Sequence, residues 1–170
     1  MNRNHAILII IVLFTAPLIF FLEPKHPNDS LRTLEGATLS TTTGEKFKLS
    51  SLFTNKKVLF VFWSITCGTC IDEIPFVIKL HGKLKEKLTI IGVHPPGSPL
   101  SKIQKFVKKF PETIPYLLAI DDELKLTRLF DVTIMPKTVL ISEHGDVLYT
   151  HLGFDPESEQ EVENAITSKL

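Results

Sequence analysis

Cysteine is scarce in this chain: Cys67 and Cys70 are the only two among 170 residues. A disulfide-stapled scaffold and a four-thiolate metal centre are therefore excluded. An excess of charge of either sign is also missing. Lys and Arg number 19, Asp and Glu number 19, and the formal net charge is +0. Such a balance gives no electrostatic reason for a nucleic-acid partner. Lys102, Lys105, Lys108 and Lys109 form a small basic run, but their helical spacing reads as a solvated face. The sequence contains no internal repeat and no low-complexity tract.

Long apolar runs are few, and one has a clear address. Ala6 to Leu22 reads AILIIIVLFTAPLIFFL, 17 residues without a charge. That is the short end of what crosses a bilayer and longer than the usual core of a signal peptide. Arg3 precedes it, Glu23, Pro24, Lys25 and Pro27 follow, and no A-x-A cleavage pattern is present. With no polar face, the segment does not suit a buried soluble helix. The expectation is an uncleaved signal anchor over residues 1–22, with the following domain outside the cytoplasm. A cleaved signal peptide is the alternative, and it leaves the domain on the same side. A polar linker over 23–32 leads to one domain over 33–170.

Within that domain the periodicity alternates. Ala37 to Leu49 reads as two short strands around Thr43-Gly44. Val58 to Trp63 is a continuous apolar run, as expected of a central strand covered on both faces. The next segment, from the cysteines to Leu84, has helical spacing, with Ile71, Ile74, Val77, Ile78, Leu80 and Leu84 on its apolar stripes and Pro75 as a kink. Leu88 to Val93 reads as a strand and His94 to Gly97 as a loop. Ser98 and Pro99 read as the cap and first position of a helix carrying Ile103, Phe106, Val107 and Phe110. Tyr116 to Ile120 reads as a strand and Asp122 to Phe130 as a helix. Lys137 to Ser142 and Val147 to His151 read as a hairpin, and Asp155-Pro156 opens a last helix. The alternation predicts an α/β domain with a mixed central β-sheet and helices on both faces.

Cys67 and Cys70 sit at the junction of strand and helix. At a helix amino terminus, unpaired N–H groups and the dipole favour an anion. A thiol there has its pKa lowered, and the thiolate is the form that attacks a disulfide. Cys70, one turn further in, is placed to resolve the mixed disulfide. Other chemistries compete at this point. Zinc needs two further ligands from scattered histidines, among them His81, His94, His144 and His151. A Cu(I) carrier suits paired thiolates. A static disulfide would close too short a loop to stabilise much.

The stretch VLFVFWSITCGTCIDEIP, with Trp63, Cys67, Cys70 and Pro75, resembles the membrane-anchored TlpA/ResA/DsbE-like group of thioredoxin-fold thiol–disulfide oxidoreductases. DVTIMPKTVLISEHGDVLYTHLG resembles that group's later segment, with Pro136 in the place of its cis-proline. LEGATLSTTTGEKFKLSSLF resembles its extra amino-terminal β-hairpin. The resemblance implies a thioredoxin-like fold and an extracytoplasmic thiol–disulfide oxidoreductase. Its redox couple would be Cys67-Gly68-Thr69-Cys70, closed as a Cys67–Cys70 disulfide when oxidised, with substrate-binding residues Trp63, Met135 and Pro136. It implies no cofactor and no metal. It further implies protein thiol or disulfide substrates and a membrane thiol reductase as electron donor. The implied role is that of a reductant in cytochrome c maturation or periplasmic thiol repair. The place is the cell inner membrane, single-pass, with the catalytic domain on the periplasmic side. The competing class is a copper-handling binding protein of the same fold, with the two cysteines as Cu(I) ligands.

Two positions depart from the pattern. Thr66 precedes Cys67 where the group has tryptophan, and Val61 stands where thioredoxin has a buried aspartate. His94 to Gly97 offers no acid either. Asp72 and Glu73 are the nearest acids to Cys70 in sequence, and in a first helical turn both read as solvated.

Overall fold

The computed structural model describes residues 34–52 and 55–170. The apolar segment 6–22 and the linker lie outside the described residues, and among those residues no helix is long and apolar enough to cross a membrane. Seven strands form one sheet: β1 (Thr38–Thr41), β2 (Lys46–Lys48), β3 (Lys57–Phe62), β4 (Leu88–His94), β5 (Leu117–Ile120), β6 (Lys137–Ile141) and β7 (Val147–Leu152). Their spatial order is β2-β1-β5-β4-β3-β6-β7. β3, β4 and β5 run parallel, and β6 returns antiparallel on the free side of β3. β1 pairs antiparallel with both β2 and β5. Among the described residues, the helices that pack on the sheet are α1 (Gly68–Leu84), α2 (Leu100–Lys109), α3 (Lys125–Leu129) and α4 (Glu159–Thr167).

β3 lies inside the sheet between β4 and β6, and its alternation divides the core. Leu59 and Val61, with Trp63 just beyond the strand, face a layer built from Ile74, Val77 and Leu80 of α1 and Val162 and Ile166 of α4. Val58, Phe60 and Phe62 face the opposite layer, with Leu126 of α3, Phe130 and Leu39. This two-sided burial is what a run of Val and Phe without alternating polar residues predicts. Phe60, Phe62 and Phe130 pack ring against ring, with centroids 5.4 to 6.3 Å apart. Each such fully buried side chain contributes roughly 1.5–3 kcal/mol of transfer free energy.

Several boundaries differ from the sequence reading. β4 runs one residue further, so His94 ends a strand instead of opening a loop. Pro99 is the cap residue of α2, without a side-chain cap bond, and Ser98 lies outside. α3 starts only at Lys125, because the buried Asp121 carboxylate accepts the Lys125 and Thr127 amides and the intervening residues form a turn. Asp155 caps a short 3₁₀ turn, Pro156–Ser158, before α4 begins. The extent of α1 agrees with the sequence reading: it runs through Pro75, whose ring lies on the exposed side, to Leu84.

Candidate active site

The site is assembled where β3 and β4 end and α1 begins. Trp63 extends the parallel pairing, its amide donating to the Val93 carbonyl at 3.0 Å. The chain then turns through Ser64, Ile65 and Thr66, and the Cys67 amide donates back to the Ser64 carbonyl at 3.1 Å. Cys67 is the cap residue of α1, in extended conformation. The amide of Cys70 points at Cys67 Sγ, 3.2 Å away. This is the anion-favouring end of a 17-residue helix.

Cys67 and Cys70 form a disulfide, with S–S 2.07 Å and Cα–Cα 5.2 Å. The two sulfurs have unlike surroundings. Cys67 is half-buried at the rim, and Cys70 is 1% exposed beneath it. The Met135 carbonyl oxygen lies 3.7 Å from Cys67 Sγ. The Met135–Pro136 peptide is cis. Lys137 secures the same corner, its Nζ donating to the Phe130 and Asp131 carbonyls at the end of α3. Ile134, 59% exposed, stands on the surface beside Met135.

Of the residues singled out from sequence, Cys67, Cys70, Met135 and Pro136 thus meet at one corner. Trp63 does not present its ring to that surface. It is 3% exposed and packs against Phe106, centroids 5.6 Å apart, so it forms part of the floor. Gly92 makes room for it: a Cβ there would stand 3.2 Å from Trp63 Nε1 and 2.7 Å from Leu118 Cδ2.

Glu73 overturns the expectation of a solvated first turn. It is 3% exposed, whereas Asp72 beside it is exposed as expected. The reason is helical phase. Glu73 lies three residues after Cys70 and four before Val77, on the stripe that faces the sheet. Burial pushes its pKa up from 4.5 to about 8, with a smaller opposing contribution from Thr138. Thr138 Oγ1 donates to Oε1 at 3.4 Å, and Oε2 has no partner among the described residues. Tyr116 is buried nearby, and both desolvation and the Glu73 charge raise its pKa. The i, i+3 relation to Cys70 was the available signal in the sequence; the register of the buried stripe was what the apolar residues alone left open.

Chemically, the corner offers a sulfur at a helix amino terminus, a second sulfur shielded from solvent, and a carboxyl group one helical turn below it. Among the described residues, no three His, Cys, Asp or Glu side chains are grouped to hold a metal ion.

A family model described as Redoxin matches residues 25–166. The chain belongs to the Redoxin family. Similar relatives include the thiol–disulfide oxidoreductase ResA of Halalkalibacterium halodurans, 33% identical over 116 residues. That match covers 68% of this chain and 64% of the relative, so the chain spans somewhat under two thirds of that protein's length. The thioredoxin-like protein YneN of Bacillus subtilis is 29% identical over 126 residues, 73% of this chain and 72% of the relative. Among solved structures, a Chlorobium tepidum protein described as the thiol:disulfide interchange protein DsbE superposes with TM-score 0.68 at 28% identity. It covers 79% of this chain and 96% of its own. MTB dsbF, in mixed oxidised and reduced forms, gives 0.67 at 25% identity, over 81% and 97%. The Redoxin-family fold here is thioredoxin-like, in keeping with the resemblance to the ResA- and DsbE-like group.

Proposed function

We propose that the protein catalyses thiol–disulfide exchange on other proteins through the Cys67–Cys70 couple, and that it acts as a reductant outside the cytoplasm. The observation that carries this reading is the asymmetry of the pair: an accessible sulfur at the start of α1 and a buried one above Glu73. In the reduced protein, the Cys67 thiolate attacks one sulfur of a substrate disulfide. A Cys67–substrate bond forms, the substrate disulfide breaks, and its other sulfur leaves as thiolate. Cys70 then loses its proton and attacks Cys67 Sγ, which releases the second substrate thiolate and leaves the oxidised couple.

Glu73 is the acceptor for the Cys70 proton in this account. A carboxyl group with a pKa near 8 is close to the ordinary thiol value of about 8.5, so its ionised form, the minor one at neutral pH, is matched in basicity to the thiolate it would generate. Its burial keeps that proton out of competition with water. Met135 and Pro136 form the docking edge. An extended substrate segment would pair with the Met135 backbone and lie against the exposed Ile134.

The domain over 33–170 is held at the bilayer by 6–22 in this reading, on the periplasmic side of the inner membrane. A membrane thiol reductase would return electrons to the couple. Cytochrome c maturation and thiol repair are the processes that the ResA- and DsbE-like resemblance supports. Carbonate washing of membranes should leave the chain membrane-bound; release as a soluble protein would remove the anchor.

The reduction potential of the couple against glutathione tests the direction. A value near about −270 mV, like thioredoxin, supports a reductant, whereas one near about −120 mV marks an oxidant. Tight stoichiometric Cu(I) binding without catalysed insulin reduction would replace the exchange reading with the copper-handling one.

A further inference from the structure

His94 ends β4 with its side chain on the α1 side of the sheet, two residues beyond Gly92 on the same face. It is 2% exposed, and its ring meets the Trp63 indole edge-on with centroids 5.3 Å apart. Both ring nitrogens are engaged by backbone. Nδ1 lies 2.6 Å from the Pro95 carbonyl oxygen, and the Ile65 amide nitrogen lies 3.2 Å from Nε2. A carbonyl only accepts and an amide N–H only donates. These partners therefore assign the proton to Nδ1 and the lone pair to Nε2. Burial holds the ring pKa below its ordinary value, which keeps this neutral form.

The Ile65 amide belongs to the turn that delivers Cys67, and among the described residues it has no backbone acceptor. The same turn is closed by the Cys67 amide on the Ser64 carbonyl. Ser64 Oγ also accepts the Thr66 amide at 3.3 Å. Hydrogen bonds therefore run from β4, through His94, into the segment whose last residue carries the reactive sulfur. With both nitrogens occupied, the ring has no lone pair left for a metal.

We propose that His94 is a positioning residue for disulfide exchange: its Nε2 accepts the Ile65 amide and so holds the turn that sets Cys67 Sγ against the Cys70 amide and the Met135 carbonyl. The proposal rests on the exchange reading above. Without the acceptor, a shielded amide is left unpaired and the turn relaxes to find another partner. The Cys67 thiolate then loses the alignment that favours it.

The test compares His94→Leu with His94→Gln in the full chain. Leucine removes the acceptor, while glutamine places an oxygen near the position of Nε2. The readouts are the pH dependence of iodoacetamide alkylation at Cys67 and the separate kcat and KM for insulin reduction. His94→Leu should slow Cys67 alkylation about three- to tenfold near neutral pH, and His94→Gln should restore it to within about twofold. KM should move less than kcat. Wild-type alkylation in His94→Leu, or an equal fall in both variants, overturns the proposal. Should His94→Leu not fold, nitrogen NMR of the wild-type ring decides. A protonated Nδ1 and bare Nε2 are expected, and the opposite tautomer overturns it. A wild-type protein inactive on insulin would instead sink the exchange reading, whatever His94 does.

Discussion

The two cysteines stand three positions apart and live in different media. Around Cys67 the site is open. Its sulfur faces the Met135 carbonyl and the Cys70 amide, and exposed Ile134 stands beside that edge. Around Cys70 it is closed: Glu73, Trp63 and Thr138 are each under 5% exposed. The rim has contacts for a partner chain and little to move a proton. The floor has a carboxyl group of raised pKa and no access for a partner. The contrast divides one reaction between two shells. In the proposed exchange, recognition and attack belong to the rim, resolution and proton transfer to the floor.

The most severe break of that division is at the sulfurs. Cys67→Ser should abolish insulin reduction. Cys70→Ser should leave attack intact and accumulate mixed disulfides on Cys67, read by mass spectrometry of trapped adducts. Equal trapping by both variants would erase the distinction between rim and floor.

Glu73→Gln comes next. It should slow insulin reduction by about 100-fold, the lower end of what a positioned proton acceptor supplies. It also has a signature in stability. The folded pKa is raised from 4.5 to about 8, so between these values the native state keeps a proton that the unfolded chain has lost. That contribution to stability is complete below about pH 4.5 and declines as the pH rises through about 8. Urea unfolding of the oxidised proteins at about pH 5 and pH 8 measures it. The advantage of Glu73→Gln over wild type should grow with pH, and parallel pH slopes would place the carboxyl outside the floor.

Much of this was legible. The apolar run of β3 announced a strand covered on both faces, and the C-x-x-C spacing at its end announced a helix start beneath a sulfur. The Met135–Pro136 corner came from the family resemblance, since a proline before a strand does not by itself choose an isomer. The floor was less legible. Glu73 looks like any acid in a first turn, and only the side of α1 that meets the sheet decides its environment. Trp63 reads equally well as surface or core, because an indole serves both. His94 was hidden by Pro95 and Pro96, which suggested that the strand had ended before it.

Smaller changes sharpen the contrast at each side. Ile134→Asp should raise KM for insulin about three- to tenfold by spoiling an apolar contact at the rim. It should leave the reduction of a small aromatic disulfide unchanged, and an equal loss on both substrates would argue against a docking role. Gly92→Ala acts only on the floor, where the new Cβ would crowd Leu118, Trp63 and Tyr116. A loss of about 1–3 kcal/mol in stability is expected, with Cys67 alkylation close to wild type. A large change in Cys67 reactivity would mean that the crowding reaches the Trp63–His94 contact and the turn that His94 holds.

The central claim is that Cys67, and not Cys70, is the sulfur presented to substrates as thiolate. The direct measurement is competitive alkylation of the reduced protein near pH 6, with each cysteine quantified by peptide mass spectrometry. The account predicts that Cys67 is labelled first, its thiolate favoured by the helix amino terminus, while Cys70 resists until the fold opens. Labelling of Cys70 first, or of both at the rate of an ordinary thiol, would contradict it.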